Sequence, residues 1–302
     1  MPIESAFPPV TVPAVDLWNF MFERTDREFP EDHGKLYPPQ YSLEGDEEFF
    51  KILIKHLVVY VDTTVEKQVK FRDVRQAAEQ FGRGIRQHWK WQKGDVMALF
   101  TPNSADVAAV TFGILWAGGI VCPFNNLYTV GELVSQLKSS GAKALATHAS
   151  CLAVVREAAL IVGLPLDRIV LLGDSPPNSR FQHFSNLQST TTASERVAIN
   201  PKEDLAFLVF SSGTTGLPKG VMLTHENMVA NIVQSHVVDA DMTSWKNDRG
   251  IGFLPMYHIY GESGFLMEVF CARSVLMTQS RHLRLDPCST LPRSQDIHNA
   301  AI

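Results

Sequence analysis

The sequence predicts an α/β protein built on a parallel β-sheet whose two faces are covered by helices. Short apolar runs alternate along the chain with segments in which apolar residues recur every three or four positions, which is the spacing of an amphipathic helix. The apolar runs are continuous, as is typical of strands that are buried on both faces. Strands separated by helices at this rhythm are joined by right-handed crossovers and lie parallel.

The composition excludes general disorder and argues against nucleic acid as a partner. The chain has 302 residues, of which 45% are hydrophobic and 20% charged, enough to bury a large core. Its 32 acidic and 27 basic side chains give a net charge of −5, and no basic run could follow a phosphate backbone. The four cysteines form no Cys-x-x-Cys pair. We therefore expect free thiols and a cytoplasmic location, with a peroxisomal one left open for a full-length form.

An uncharged stretch at residues 107–131 is not expected to cross a membrane. Its apolar first part reaches only 11 residues before Gly118, whereas a membrane span needs about 20. A buried helix, a glycine stop and a buried strand fit it better. The amino terminus has no basic segment followed by an apolar one, so we expect neither a secretory signal nor a transmembrane segment.

The first helix signal covers residues 71–89, where apolar side chains keep a spacing of three and four, and Gly94 ends the pattern. The elements predicted after it are a strand at 96–100, a helix from about 104, a strand at 120–124, a second helix, a strand at 143–147, a helix at 150–162 and a strand at 168–172. The second helix opens with Thr129 and Glu132, which have the spacing of a capping box. Gly141 closes that helix.

A segment at 173–194, rich in Ser, Thr, Pro and Asn, is predicted to be a surface connection between two α/β subdomains. The first subdomain spans residues 1–172 and the second spans residues 195–279. In the second, an apolar run at 205–210 predicts a strand that leads into a polar loop. A short strand follows the loop, and Thr224 caps the next helix.

The polar loop has the composition of a phosphate-binding loop. It reads Ser211-Ser212-Gly213-Thr214-Thr215-Gly216-Leu217-Pro218-Lys219-Gly220. The glycines allow backbone N–H groups to approach anionic oxygens closely, the hydroxyls add donors, and Lys219 adds a mobile charge. It is not a Walker loop, because Pro218 and Gly220 flank the lysine and leave no hydroxyl for Mg²⁺. A solvated turn between two strands is the alternative.

This loop, with Asp204 before its first strand, resembles the signature of the adenylate-forming enzymes, which include acyl- and aryl-CoA ligases and luciferases. A second block, 254–261, reads Leu-Pro-Met-Tyr-His-Ile-Tyr-Gly and resembles the next motif of that family. The segment 91–141, with its Lys-Gly-Asp, Pro-Asn-Ser and Ala-Gly-Gly, is similar to the 4-coumarate-CoA-ligase-like branch. The resemblance implies the large N-terminal domain of these enzymes, incomplete at its carboxyl end.

The resemblance implies a reaction in two steps. The carboxylate of a fatty or aromatic acid attacks the α-phosphate of ATP, and the thiol of coenzyme A then displaces AMP from the acyl-adenylate. ATP, Mg²⁺, coenzyme A and a small carboxylic acid are the implied ligands. Lys219 and His258 are the implied catalytic residues, and His258 and Tyr260 lie near the substrate. A core histidine is the alternative for His258, and no residue is assigned to a metal. The implied nucleotide-binding residues are Ser211, Ser212, Gly213, Thr214, Thr215, Gly216 and Lys219.

Two segments depart from the family pattern. Residues 34–56 interrupt it as an insertion, and residues 280–302 form a divergent tail. A retained intron and a frame change would explain both, and a surface insertion with a divergent tail is the alternative. The resemblance puts the Mg²⁺-binding acid, the ribose-binding aspartate and a C-terminal lysine beyond the matching residues. We therefore expect the 302-residue chain to be weak or inactive, and a remnant that at most binds nucleotide is the second hypothesis.

Overall fold

Two β-sheets, with helices packed on the larger one, make up the described part of the chain. The computed structural model describes residues 9–23, 58–62, 67–173, 179–191, 195–211, 218–239, 249–252, 254–263 and 275–278. The strands are β1 (Val58–Asp62), β2 (Lys67–Lys70), β3 (Val96–Phe100), β4 (Ile120–Pro123), β5 (Ala144–His148), β6 (Ile169–Leu172), β7 (Gln182–His183), β8 (Leu205–Ser211), β9 (Lys219–Thr224), β10 (Arg249–Gly252) and β11 (Val275–Thr278). The helices are α1 (Leu17–Phe22), α2 (Phe71–Trp89), α3 (Asp106–Trp116), α4 (Val130–Ser140), α5 (Leu152–Val162), α6 (His225–Asp239) and the single turn α7 (Ile259–Gly261).

The larger sheet is mostly parallel, as predicted. Its strand order is β7-β6-β5-β3-β4-β8-β9. The strands from β7 to β8 pair in parallel, with Met97 of β3 opposite both Val121 of β4 and Ala144 of β5. Strand β9 pairs antiparallel with β8. A smaller sheet of order β10-β11-β1-β2 is also mixed, because β1 lies parallel to β11 and antiparallel to β2.

Apolar cores lie on both faces of the larger sheet because successive strand residues point to opposite sides. On one face, Met97 and Leu99 of β3 belong to a core that includes α1, α2 and α3. On the other face, Ala98 and Phe100 pack in a core formed with α4 and α5. The continuous apolar runs in the sequence therefore indicated strands that are buried on both sides.

The uncharged stretch at 107–131 folds as predicted. Every residue of α3 is buried, Gly118 adopts a positive φ of 74°, and β4 is buried along its length. In the described residues, no helix has the length and apolar character needed to cross a membrane.

Helices α2 and α3 approach each other closely through glycines. A Cβ atom on Gly82 would lie 2.6 Å from the Trp116 ring, and one on Gly113 would lie 2.8 Å from the carbonyl oxygen of Ala78. A different face of α2 meets the chain at Leu187, whose carbonyl oxygen lies 1.6 Å from the position of a Cβ on Gly84. Side chains larger than hydrogen do not fit at these crossings.

The predicted caps are present, and most element boundaries lie within one or two residues of their predicted positions. The capping box of Thr129 and Glu132 forms at the start of α4, and Gly141 ends that helix in the left-handed conformation. Helix α2 covers the predicted range and ends at Trp89, after which Lys90 takes the left-handed conformation at φ 53°.

The predicted surface connection at 173–194 also supplies core side chains. It contains β7 at the end of the sheet, followed by a short 3₁₀ helix, Phe184–Leu187, in which Phe184 and Leu187 are buried. Its polar composition did not indicate these contacts. The division into two subdomains stays a prediction, and the larger sheet runs across it. The predicted insertion at 34–56 and the tail at 280–302 lie outside the described residues.

Candidate functional site

The carboxyl ends of β3, β4 and β8 lie at one edge of the larger sheet. These three strands are neighbours and run parallel, so their carboxyl ends lie together. Ligands of open α/β sheets bind outside the carboxyl ends of the strands. The described ends of the first sequence block, Ser211 and Lys219, lie at this edge, and the second block is hydrogen-bonded to the loop after β3.

The predicted phosphate loop connects two paired strands. Ser211, the last residue of β8, lies opposite Lys219, the first residue of β9, and both are exposed. The structure thus brings the two ends of the loop together. Residues 212–217 lie outside the described residues. Nucleotide binding by the loop stays a prediction, including the roles assigned to Ser212, Gly213, Thr214, Thr215 and Gly216.

Helix α6 begins directly after this hairpin. Thr224 Oγ1 accepts from the Asn227 backbone N–H at 3.2 Å, and Asn227 Oδ1 accepts from the Thr224 N–H at 3.1 Å. The predicted Thr224 cap is therefore confirmed. The next residue, His225, is buried, and its Nδ1 accepts from the backbone N–H of Leu17 at 3.2 Å. Burial lowers the pKa of His225 to about 4, against opposing effects of nearby carboxylates such as Asp16, so the ring is neutral at pH 7.

Two ion pairs fasten the segments around His225. Arg196 donates to both carboxylate oxygens of Asp16, at 3.0 and 2.9 Å, and to the Asn19 side chain at 3.0 Å. Lys93 lies 2.5 Å from Asp204, the residue before β8. Burial would raise the pKa of Asp204, but hydrogen bonds from Lys93 and from a backbone N–H, with the Lys93 charge, lower it. No local sequence pattern indicates these long-range pairs.

The second sequence block forms a tight turn that presents His258. The His258 N–H donates to the carbonyl oxygen of Pro255 at 3.1 Å, and its Nδ1 accepts from the Tyr260 N–H at 3.3 Å. Because Nδ1 is an acceptor, we assign the proton of the neutral ring to Nε2, which is left as a donor. His258 and Tyr260 are both exposed. The exposure of His258 contradicts the alternative of a core histidine, and its catalytic role stays a prediction.

An asparagine from the first part of the chain contacts this turn. Asn103 Nδ2 donates to the carbonyl oxygen of Leu254 at 2.8 Å, and Asn103 Oδ1 accepts from the Met256 N–H at 2.8 Å. Asn103 lies in the loop after β3, within the Pro-Asn-Ser motif. The sequence singled out the motif but indicated no role for Asn103, because its partners are more than 150 positions away.

A groove of about 320 Å³ lies between α6 and the turn that carries Tyr260. Its lining combines apolar side chains with amide and hydroxyl groups, a mixture suited to an organic ligand with polar substituents. The lining residues are Leu223, Asn227, Met228, Asn231, Ile259, Tyr260 and Ser263. Tyr260 therefore lies in the lining of a groove, and its role beside the substrate stays a prediction.

Two further ionisable side chains lie near the turn. Glu262 is fully buried, and its carboxyl oxygens have no hydrogen-bond partner in the described part of the chain. Burial raises the pKa of Glu262 to about 8, so it is mostly protonated at pH 7. Burial also raises the pKa of Tyr128, in the loop after β4, and interactions with Glu132 and Tyr257 add to this increase.

The described residues do not offer a metal site. Among them, no group of three or more His, Cys, Asp or Glu side chains is placed to hold a metal ion. The Mg²⁺ that the resemblance implies therefore cannot be assigned to described side chains.

The chain belongs to the AMP-binding enzyme family, whose family model matches residues 55–295. Among curated proteins, it is similar to 4-coumarate--CoA ligase-like 1 of Arabidopsis thaliana, with 29% identity over 82% of this chain and 43% of that protein. It is also similar to 4-coumarate-CoA ligase 1 of Narcissus pseudonarcissus, with 33% identity over 68% of this chain and 37% of that protein. The chain thus spans less than half the length of these relatives.

Solved structures share the fold. A long-chain-fatty-acid-CoA ligase from Archaeoglobus fulgidus matches with a TM-score of 0.69 and 20% identity, over 92% of this chain and 49% of that one. An anthranilate CoA ligase solved with anthranoyl-AMP matches with a TM-score of 0.61 and 24% identity, over 72% of this chain and 41% of that one. These similarities confirm the predicted architecture, an α/β domain with a mostly parallel, helix-covered sheet.

Proposed function

We propose that the chain belongs to an AMP-forming ligase that activates a carboxylic acid, with ATP, to an acyl-adenylate and then to a coenzyme A thioester. The observation that carries the proposal is that the two ends of the first sequence block and the turn of the second lie at one sheet edge. Ser211 and Lys219 hold the ends of the glycine-rich loop there, and the turn of His258 lies beside the same edge. The family and the names of its relatives support the reaction class.

On the nucleotide side, the loop between Ser211 and Lys219 is proposed to hold the phosphates. Negative charge develops on pyrophosphate as it leaves, so donors and a cation fixed near it stabilise the transition state more than the ground state. Lys219 is exposed at the start of β9, from which its flexible side chain can follow that charge. Ser211 contributes a hydroxyl at the opposite end of the loop.

On the acid side, the groove beside Tyr260 is proposed to take the acyl or aryl group. Leu223, Met228 and Ile259 supply apolar surface, which favours a fatty or aromatic acid over a small polar one. The Nε2–H of His258 can donate to the substrate carboxylate and hold it in position for attack. This orientation brings two reactants together, which by itself lowers the barrier.

Coenzyme A and Mg²⁺ are required by the proposed reaction, but no described residue is assigned to bind either of them. Coenzyme A supplies the thiol that replaces AMP. No step is assigned to Mg²⁺, because the described residues provide no set of ligands for it.

Acid-dependent exchange of pyrophosphate into ATP tests the proposal on a chain restored to full length, because the 302-residue chain is expected to be weak or inactive. With a panel of fatty and cinnamic-type acids, we expect Lys219→Ala to lower the exchange rate about tenfold to a hundredfold, the loss of one charge-assisted hydrogen bond. Lys138→Ala, which removes an exposed lysine from α4, is the control and should leave the rate unchanged. ATP binding without exchange would instead favour the nucleotide-binding remnant, and an equal rate in both variants would show that the loop is only a turn.

A further inference from the structure

The amide of Asn103 bridges two backbone groups that flank Pro255. Its Nδ2 donates to the Leu254 carbonyl oxygen and its Oδ1 accepts from the Met256 N–H, both at 2.8 Å. A side-chain amide is suited to this arrangement because it has a donor and an acceptor side by side. The contact joins the loop after β3, in the larger sheet, to a turn that follows more than 150 positions later in the chain.

Hydrogen bonds within the turn connect this anchored backbone to the residues of the site. His258 donates its N–H to the Pro255 carbonyl oxygen at 3.1 Å, and Glu262 donates its N–H to the His258 carbonyl oxygen at 2.9 Å. A Cβ on Gly261 would lie 2.1 Å from the same Pro255 oxygen, so α7 lies directly on the anchored backbone. A shift of Leu254 and Met256 would therefore move His258 as well.

We propose that Asn103 is a positioning residue for the acid-binding side of the site. It holds the 254–256 backbone against the sheet, and the turn thereby fixes the orientation of the Nε2–H of His258 and of the ring of Tyr260. This inference rests on the proposed function and adds a residue to it. Asn103 acts through the turn rather than by touching substrate, so its loss should affect the acid and leave ATP binding unchanged.

Two variants of Asn103 separate positioning from general stability. Asn103→Leu removes both hydrogen bonds at similar volume. Asn103→Asp keeps an acceptor for the Met256 N–H but sets a carboxylate oxygen against the Leu254 carbonyl oxygen. A protonated carboxyl group has one donor and one acceptor, as the amide has, so Asn103→Asp should recover as the pH falls and Asn103→Leu should not. Asn125→Leu is the control, since Asn125 bonds the Leu127 N–H in an exposed turn after β4.

The first measurement is hydrogen exchange of the peptide spanning residues 254–263 in the full 302-residue chain, without ligands. We expect Asn103→Leu to speed exchange of the Met256 amide about tenfold or more, the loss of a net hydrogen bond, and Asn125→Leu to leave it unchanged. In Asn103→Asp, protection should return toward the wild-type level as the carboxyl group is protonated. Unchanged exchange in Asn103→Leu would overturn the proposal whether or not the chain is an active ligase.

The second measurement is the KM for acid and for ATP in pyrophosphate exchange by the chain restored to full length. Asn103→Leu should raise the KM for the acid about tenfold, with the KM for ATP within about twofold of the wild type. An equal rise in both constants, or a fall in kcat alone, would show a general structural role and overturn the proposal. If the wild-type chain restored to full length shows no exchange with any acid, the proposed function fails, and the hydrogen-exchange measurement still decides whether Asn103 holds the turn.

Discussion

The scaffold of this protein and its candidate site differ in how far water reaches their strands. We call the described residues between 67 and 191 the scaffold region and those between 205 and 263 the site region. In the scaffold region, β3, β4 and β6 are buried at every position. In the site region, the first four residues of β9 are exposed, and Met222 shows 67% of its surface. The difference is between strands that are fixed by packing and a strand that presents groups to solvent.

The two regions therefore have different roles: the buried strands position the site, and the loops carry its polar groups. Strands packed on both faces cannot shift without exposing apolar surface, so their carboxyl ends are fixed points. The loops that leave those ends carry the polar groups, and they are held by a few specific contacts such as the Asn103 amide. Binding groups on loops that a rigid scaffold positions are a general arrangement in proteins.

The largest effect is expected from Gly84→Val in the scaffold region. A Cβ at this position would lie 1.6 Å from the backbone carbonyl oxygen of Leu187, a clash that no side-chain rotation relieves. We expect the free energy of unfolding to fall by about 5 kcal/mol or more, measured by urea denaturation.

Gly131→Ala is the matched control for Gly84→Val. Gly131 lies in the first turn of α4, where a Cβ atom would meet no atom of a neighbouring segment within 4 Å. Replacing it should raise stability by up to about 1 kcal/mol, because alanine loses less backbone entropy in a helix. If Gly84→Val were no less stable than Gly131→Ala, this result would contradict the tight contact between α2 and Leu187.

In the site region, the largest effect is expected from Glu262→Gln, and it depends on pH. The pKa of Glu262 is raised from 4.5 to about 8 in the folded chain. A raised pKa means that its contribution is fully present below pH 4.5 and is lost as the pH rises toward 8. By about pH 7 the wild type should have lost about 3 kcal/mol relative to Glu262→Gln.

Denaturation curves of the two proteins between about pH 5 and 8 measure this difference. Glu157→Gln, which changes an exposed carboxylate on α5, should show no such trend. If the gap between wild type and Glu262→Gln stays constant across this range, the carboxyl group of Glu262 is not buried in the folded protein. The turn of His258 would then be more open than the structure describes.

A smaller effect is expected at His225, which joins α1 to the start of α6. Its pKa is lowered from 6.5 to about 4 by burial, so the folded state excludes the charged ring. Stability is therefore present above pH 6.5 and is lost as the pH falls toward 4. At about pH 5 we expect the wild type to have lost about 2 kcal/mol relative to His225→Asn, whose amide oxygen can still accept from the Leu17 N–H. Urea denaturation across this pH range measures the loss, and His88→Asn, on the exposed face of α2, should not change the pH dependence.

The scaffold region could be predicted from the sequence because its signals are local. Helical spacing, the Thr129 cap and the left-handed Gly141 each depend on residues within a few positions. The site region was predicted only in part. The hairpin and the exposed turn of His258 agree with the two sequence blocks. The hydrogen bonds of Asn103 and the burial of His225 and Glu262, however, depend on residues far apart in the chain. Sequence patterns carry no direct signal for such contacts.

The smallest effects are expected from loss of the two reciprocal helix caps, one in each region. Thr129 and Glu132 cap α4, and Thr224 and Asn227 cap α6 with the same spacing of three. Removing the hydroxyl leaves a backbone N–H without its acceptor, so Thr129→Ala and Thr224→Ala should each lower the free energy of unfolding by about 1 kcal/mol. Equal values would show that local capping energy does not depend on whether the region is fixed by packing.

The two caps should differ when the pH is lowered. Hydrogen bonds from the backbone and side chain of Thr129 lower the pKa of Glu132, so this cap contributes stability above pH 4.5 that is lost as the carboxylate is protonated. The Asn227 amide does not titrate, and the cap of α6 should keep its strength. Urea denaturation at neutral and acidic pH should therefore show the cost of Thr129→Ala shrinking in acid while that of Thr224→Ala stays constant. The same shrinkage for both variants would mean that acid weakens the helices generally, and not through Glu132.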